Sequence, residues 1–311
     1  MDQDRALDTL TSAVQGQILK DLPLEGLSFS GLYMKGLTLE NCSLANSVFL
    51  DSSFTKCVFK EANFSGADFT NSTLNECQFI NPVFSQTVFF RATALKSRFG
   101  PSVFSGANFS RSSLVDCDLE GPAAFSKCNL SESQFFSNTF GDTSFEDSDL
   151  RLFFLKDCSF SSLSLSRCQA SQMAVGNTKL HGFMAIETDL SLAFFGGSDL
   201  SAAVITKSPL RGTFFTQAIL RGANLSNCQA EKAFFNGADL SYADFSLVSA
   251  PYADFSHANL AGANLMEADL SGANFHRAKG LALDGARIPG ARHTDELLAK
   301  AEDFVPWPVK E

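Results

Sequence analysis

The stretch that decides the fold runs from Ala253 to Phe275 and reads ADFSH ANLAG ANLME ADLSG ANF. One five-residue phrase recurs: a small residue, Asp or Asn, Leu or Phe, then two positions that tolerate polar side chains. A period of five matches neither the 3.6 of a helix nor the 2 of a strand. It describes a unit that cannot bury its apolar face alone and must stack on copies of itself.

Worked outward, the phrase covers most of the chain. Every fifth residue from Leu24 gives Phe29, Met34, Leu39, Leu44, Phe49 and Phe54, without a break to Leu119. One extra position in Glu120-Gly121-Pro122-Ala123 shifts the register, which resumes at Phe125 and holds to Phe275. Of 51 central positions, 23 are Phe and 20 are Leu; the others are five Ala, Met34, Val175 and Ile205. None is polar, so all point toward one continuous core.

The phrase resembles the pentapeptide-repeat family of bacteria. The resemblance implies an all-β solenoid, a right-handed quadrilateral β-helix in which four pentapeptides make one square coil. On that basis the 51 centres give about twelve to thirteen coils, and about 60 Å of rod at strand spacing. The position two before each centre is then the second inward one, and it is mostly Ala, Ser, Thr or Cys. Leu22, Leu27, Leu32 and Leu37 fill it at the start, and Phe153, Leu163, Met173 and Phe183 mid-chain, where the coil is expected to distort. The twenty-residue phase predicts stacked ladders: Phe29, Phe49, Phe69, Phe89 and Phe109; Phe195, Phe215, Phe235, Phe255 and Phe275; Leu180, Leu200, Leu220, Leu240 and Leu260.

Three segments follow. Residues 1–20 precede the repeat, with Leu7, Leu10, Val14 and Ile18 at helical spacing, and read as a helical cap on the first coil. Residues 21–280 form the β-helix. Residues 281–311 lose the register; Thr294 or Asp295 can cap a short helix carrying Leu297, Leu298, Ala301 and Phe304, ahead of Trp307. That end reads as a lid and as a candidate dimer segment through Leu297, Leu298, Phe304 and Trp307, since some family members dimerise there.

The totals exclude several function classes. Net charge is −10, which disfavours a surface that grips nucleic acid directly, because phosphate contacts need basic groups. No run of about 18 apolar residues marks a membrane span. The start, MDQDRALDTL, places acids where a signal peptide carries basic residues. The expected compartment is the cytoplasm. Composition is skewed toward one ring, with 32 Phe against 3 Tyr and 1 Trp.

Little in the chain points to catalysis. Cys42, Cys57, Cys77, Cys117, Cys128, Cys158, Cys168 and Cys228 all fall two residues before a centre, so they read as small inward fillers without metal-type spacing. His181, His257, His276 and His293 lack ligand-spaced partners; His257 and His276 fall on successive coils and read as surface positions. Nucleophile-elbow, phosphate-loop and metalloprotease motifs are missing. A non-enzymatic protein without cofactor or metal is expected.

Two surface features remain. Phe154, Phe194, Phe214 and Phe234 each precede a centre and share one phase, with Ala174 on the remaining rung. They predict an aromatic row on one face, a candidate protein-binding surface; local distortion that tucks Phe154 inward is the alternative. Asp116, Asp118, Glu120, Glu132, Asp142, Glu146, Asp147 and Asp149 face only Lys127 between positions 116 and 149. They read as a solvated face or an anionic patch for a basic partner. The resemblance implies two functions: an adaptor or scaffold accessory to type VI secretion, or a DNA mimic that binds DNA gyrase or topoisomerase IV in quinolone resistance or toxin immunity. A secretion-system component and a type II topoisomerase are thus the candidate partners.

Overall fold

The computed structural model describes residues 1–119 and 121–303. Glu120, Phe304 and Trp307 lie outside the described residues.

The fold is built one corner at a time. At many corners the N–H three residues after a centre donates to that centre's carbonyl, as from Ser47 to Leu44 (3.2 Å) and from Ala67 to Phe64 (2.9 Å). The residue two after the centre takes positive φ: Asn46 at 56°, Asp51 at 55°, Lys56 at 54°. Such turns need a left-handed residue at their third position. Four corners close a coil, and each coil pairs in parallel with the next. One ladder runs Tyr33, Ser53, Thr73 and Thr93. It crosses to Ser113 and Gln134, then climbs through Phe154, Ala174, Phe194, Phe214 and Phe234 to Arg292. The result is a parallel β-solenoid with a helix at each end.

The centres point inward and stack. Phe29, Phe49, Phe69, Phe89 and Phe109 have centroids 5.3, 4.9, 5.3 and 4.7 Å apart. Phe195, Phe215, Phe235, Phe255 and Phe275 stack at 5.5, 5.1, 5.0 and 5.3 Å. Each pair adds about 0.5–1.5 kcal/mol beyond its buried area. The small inward position accepts Ser, Thr or Cys because a carbonyl of the coil below receives the proton. Ser52 Oγ donates to Phe29 O at 2.8 Å, Thr87 Oγ1 to Phe64 O at 2.9 Å, and Cys128 Sγ to Phe104 O at 3.1 Å. The Asp and Asn before the centres act locally. Asp68 Oδ1 accepts from Thr70 N at 2.8 Å, and Asn274 Nδ2 donates to Asp254 Oδ1 at 2.9 Å one coil away.

The register slip is absorbed at one corner. Pairing shifts to a 21-residue step, Ser102 to Ala123, and Gly121 passes so close to Pro101 that an added Cβ would sit 2.6 Å from its Cγ. One and two coils further on, strands Thr139–Glu146 and Ser159–Ser166 run straight through that corner. Phe153, Leu163, Met173 and Phe183 are buried in this region, while the centre Phe160 is only half-buried.

Both ends differ from expectation. Helix α1 spans Gln3–Ser12, with Asp2 as N-cap. It buries Ala6 and Leu10, whereas Leu7, Val14 and Ile18 are exposed. The expected stripe fails because the helix stops at Ser12 and Ile18–Lys20 is already a strand, paired with Thr38–Glu40. At the other end the ladder continues past residue 280 with two residues fewer, pairing Asp269 with Arg287 and Asn274 with Arg292. The solenoid therefore outruns the 21–280 span. Helix α2 spans Glu296–Glu302, capped by Asp295. Leu297 is 79% exposed and Leu298 is exposed too, while Ala299 is buried; polar contacts, not leucines, seat this helix. Among the described residues no helix is long and apolar enough to cross a membrane.

Candidate functional site

The aromatic row follows from the repeat. The residue before a centre points away from the core, and the ladder puts positions twenty apart on adjacent rungs. Phe154, Ala174, Phe194, Phe214 and Phe234 are successive rungs. Phe194 is 43% exposed and Phe234 37%; Phe154 and Phe214 are half-buried. Phe214 and Phe234 stack at 4.7 Å with rings 5° from parallel, and Phe194 meets Phe214 at 6.4 Å and 43°. The Phe194 ring lies over Gly176 and Gly196, where an added Cβ would fall 2.5 and 2.6 Å from ring carbons. Those glycines let the ring lie flat on its strand.

Two contributors to this face were missed in the sequence. Phe136 reaches Phe154 at 5.6 Å and lengthens the row; its signal was an outward position just after a centre. Leu192 occupies a corner at φ 60°, and its Cδ2 would be 2.9 Å from a Cβ at Gly212. A groove of about 610 Å3 opens here among Ser191, Leu192, Arg211, Gly212, Lys232 and Phe234.

The acidic cluster does not persist as an unpaired patch. Asp118 meets Arg98 at 3.1 Å, Glu132 meets Arg111 at 3.0 Å, and Asp149 meets Arg151. Asp147 lies 2.8 Å from Arg167 Nε, and Glu146 also pairs with Arg167. Asp142 accepts from Ser162 Oγ at 2.8 Å. Arg167 holds the Asp147 carboxyl below the usual range by hydrogen bonding to it. Most of these arginines fall outside the 116–149 window in sequence yet one coil away in space, so a linear count overstates the charge.

Of the two histidines read as surface positions, His257 is exposed as expected and His276 is not. His257 and His276 have centroids 5.6 Å apart, and α2 covers His276, leaving it 5% exposed. His257 Nε2 and His276 Nε2 lie 3.7 and 3.3 Å from the Glu302 carboxylate, a set whose ligand atoms fall within 4.8 Å of one another. The donor set does not fit a metal. His276 Nδ1 accepts the Asp295 N–H at 3.1 Å, so the neutral ring carries its proton on Nε2 and donates it to Glu302. A ligating imidazole needs the reverse arrangement. Arg277 Nε also sits 3.1 Å from that Glu302 oxygen, and Arg277 holds Asp303 at 2.6 Å. The cluster anchors α2.

All eight cysteines are buried and unpaired. Burial pushes the Cys117, Cys128 and Cys228 thiols up to about 11.

Family models for pentapeptide repeats match residues 62–105, 218–248 and 252–279 with 8 copies, and residues 35–78 with 9 copies. The chain belongs to the pentapeptide-repeat family. Among solved structures it is similar to HetL, a pentapeptide repeat protein involved in heterocyst differentiation regulation from the cyanobacterium Nostoc. The identity is 22%, covering 93% of this chain and 98% of that one, with a TM-score of 0.24. A trypsin-treated QnrB1, a plasmid-mediated fluoroquinolone resistance protein, is 16% identical over 72% of this chain and 97% of its own, with a TM-score of 0.22. No curated protein matches the sequence.

Proposed function

We propose that the chain is a non-enzymatic scaffold that binds another protein through its aromatic face. The observation that carries this reading is the run of Phe194, Phe214 and Phe234 on successive rungs, with Phe194 and Phe234 exposed and Phe214 half-buried between them. Apolar rows of this kind mark protein contacts more often than chance exposure does. A regular stack of coils also presents its face rigidly, which lowers the ordering cost of binding.

The test compares wild type with Phe214→Asp in affinity capture from cells that make the protein. Candidate partners are a component of a type VI secretion apparatus and a type II topoisomerase. A partner retained by wild type and bound about tenfold more weakly by the variant is the expected result; equal capture by two equally folded proteins contradicts it.

A second reading, DNA mimicry toward DNA gyrase or topoisomerase IV, is favoured by a net charge of −10 on a solenoid. The arginine partners of its carboxylates work against it. Inhibition of gyrase supercoiling by the wild-type chain, unaffected by Phe214→Asp, would select this reading over the first.

A further inference from the structure

We infer that the groove beside Phe234 receives a protein segment carrying a carboxylate next to an aromatic or aliphatic side chain. The inference rests on the scaffold reading and names the chemistry of its partner.

The groove has an apolar floor and a basic rim. Leu192 and Phe234 form its walls, and Gly212 leaves the space between them open. A larger residue at 212 would meet Leu192, since even a Cβ there comes within 2.9 Å of Leu192 Cδ2. Leu192 itself sits in the left-handed region at φ 60° and is exposed. That backbone suits Gly or Asn far better than Leu, so the side chain is placed there at a cost to stability.

The rim carries the charge argument. Arg211 lies 3.8 Å and Lys232 3.4 Å from one carboxylate, Glu231. Two cations thus share one anion and leave a surplus positive charge beside an apolar groove. The rest of the chain leans the other way, with net charge −10. Lys20 and Lys60 share Glu40 in the same way, at 3.0 and 2.9 Å; what sets the Arg211–Lys232 pair apart is its place beside the Leu192–Phe234 groove. A partner carboxylate would complete the set at the rim while its apolar neighbour fills the floor, so that charge sets orientation and burial supplies affinity.

Size selects a slender occupant over a second copy. The groove runs over two rungs, from Leu192 to Lys232, about 10 Å, and one solenoid side is about 13 Å across. A stable dimer buries about 800 Å2 on each partner, several times that patch, whereas a single extended or helical segment matches it.

The experiment uses the full chain and fluorescein-labelled peptides with a central Glu-Phe-Glu, Gln-Phe-Gln, Lys-Phe-Lys or Glu-Ala-Glu, read by fluorescence anisotropy. The expected order places Glu-Phe-Glu first, with Lys-Phe-Lys and Glu-Ala-Glu about tenfold weaker or more. An Arg211→Ala/Lys232→Ala protein should lose the preference for acid but keep weak binding of the aromatic peptides, and Leu192→Asp should lose both. Equal affinity for the acidic and basic peptides, or acidic preference unchanged in Arg211→Ala/Lys232→Ala, overturns the inference. So does self-association that Phe234→Asp abolishes, because the face would then serve a second copy. If no peptide binds while a captured partner is still lost on Phe214→Asp, the groove inference fails and the scaffold reading stands. If Glu-Phe-Glu binds as expected and capture is indifferent to Phe214→Asp, the scaffold reading fails instead.

Discussion

Arg167 reaches Asp147 across one coil, its Nε 2.8 Å from Asp147 Oδ1, although twenty residues separate them in the chain. The corner column extends to Lys127 on one side, whose charge also favours ionised Asp147. On the other side stand Glu187 and Lys207, 3.8 Å apart. Signs alternate up the column, and a one-coil error in stacking would set like charges together.

This column predicts a pH-dependent contribution to stability. The Asp147 pKa is depressed in the folded state by its hydrogen bond to Arg167. Its benefit is therefore full above the unfolded carboxyl value and is lost as pH falls through the folded one. Urea midpoints of wild type and Arg167→Ala should differ at about pH 6 and converge toward about pH 2. They should also converge with added salt. A gap that widens on acidification contradicts the assignment.

Phe214 and Phe215 are adjacent in sequence and opposite in role. Phe215 is fully buried between Phe195 and Phe235, so Phe215→Ala should cost about 3–5 kcal/mol of unfolding free energy. Phe214→Ser should cost clearly less, about 1 kcal/mol, because its half-buried ring loses only its surface contacts with Phe194 and Phe234. Chemical denaturation of the two variants reads the contrast directly.

Leu247 sits at a corner with φ 60° and is exposed. Leu247→Gly removes left-handed strain of about 1–2 kcal/mol and adds chain entropy to the unfolded state. A net gain of about 0.5 kcal/mol is expected in denaturant titrations. A clear loss would mean that the leucine packs on its neighbours.

Helix α2 should be released by Arg277→Ala. That side chain holds Glu302 and Asp303 and donates to the Ala299 carbonyl. Hydrogen exchange over Glu296–Glu302 should quicken while exchange in the central coils stays unchanged, since the ends of a solenoid open locally.

Much of this was legible from the repeat alone. The inward residues specify the fold because every coil repeats the same burial requirement, and the twenty-residue phase alone places Phe195 under Phe215. The aromatic row was legible on the same ground. What escaped were contacts that depend on three dimensions at once. Arg167 lay outside the window in which the acids near Asp147 were counted. The burial of His276 depends on α2 folding back, and that helix is held by Arg277 and Glu302 rather than by Leu297 and Leu298. The groove at Leu192 needs Gly212, Arg211 and Lys232 from two further coils.

The most direct test of the account places a photo-crosslinking benzoylphenylalanine at position 214, and in a second protein at position 142 on another side of the solenoid. Irradiation in cells that make the protein should give a discrete crosslinked partner from position 214 and none from position 142. Crosslinks from position 142 alone, or no protein crosslink from position 214 in a folded chain, would contradict a partner-binding aromatic face.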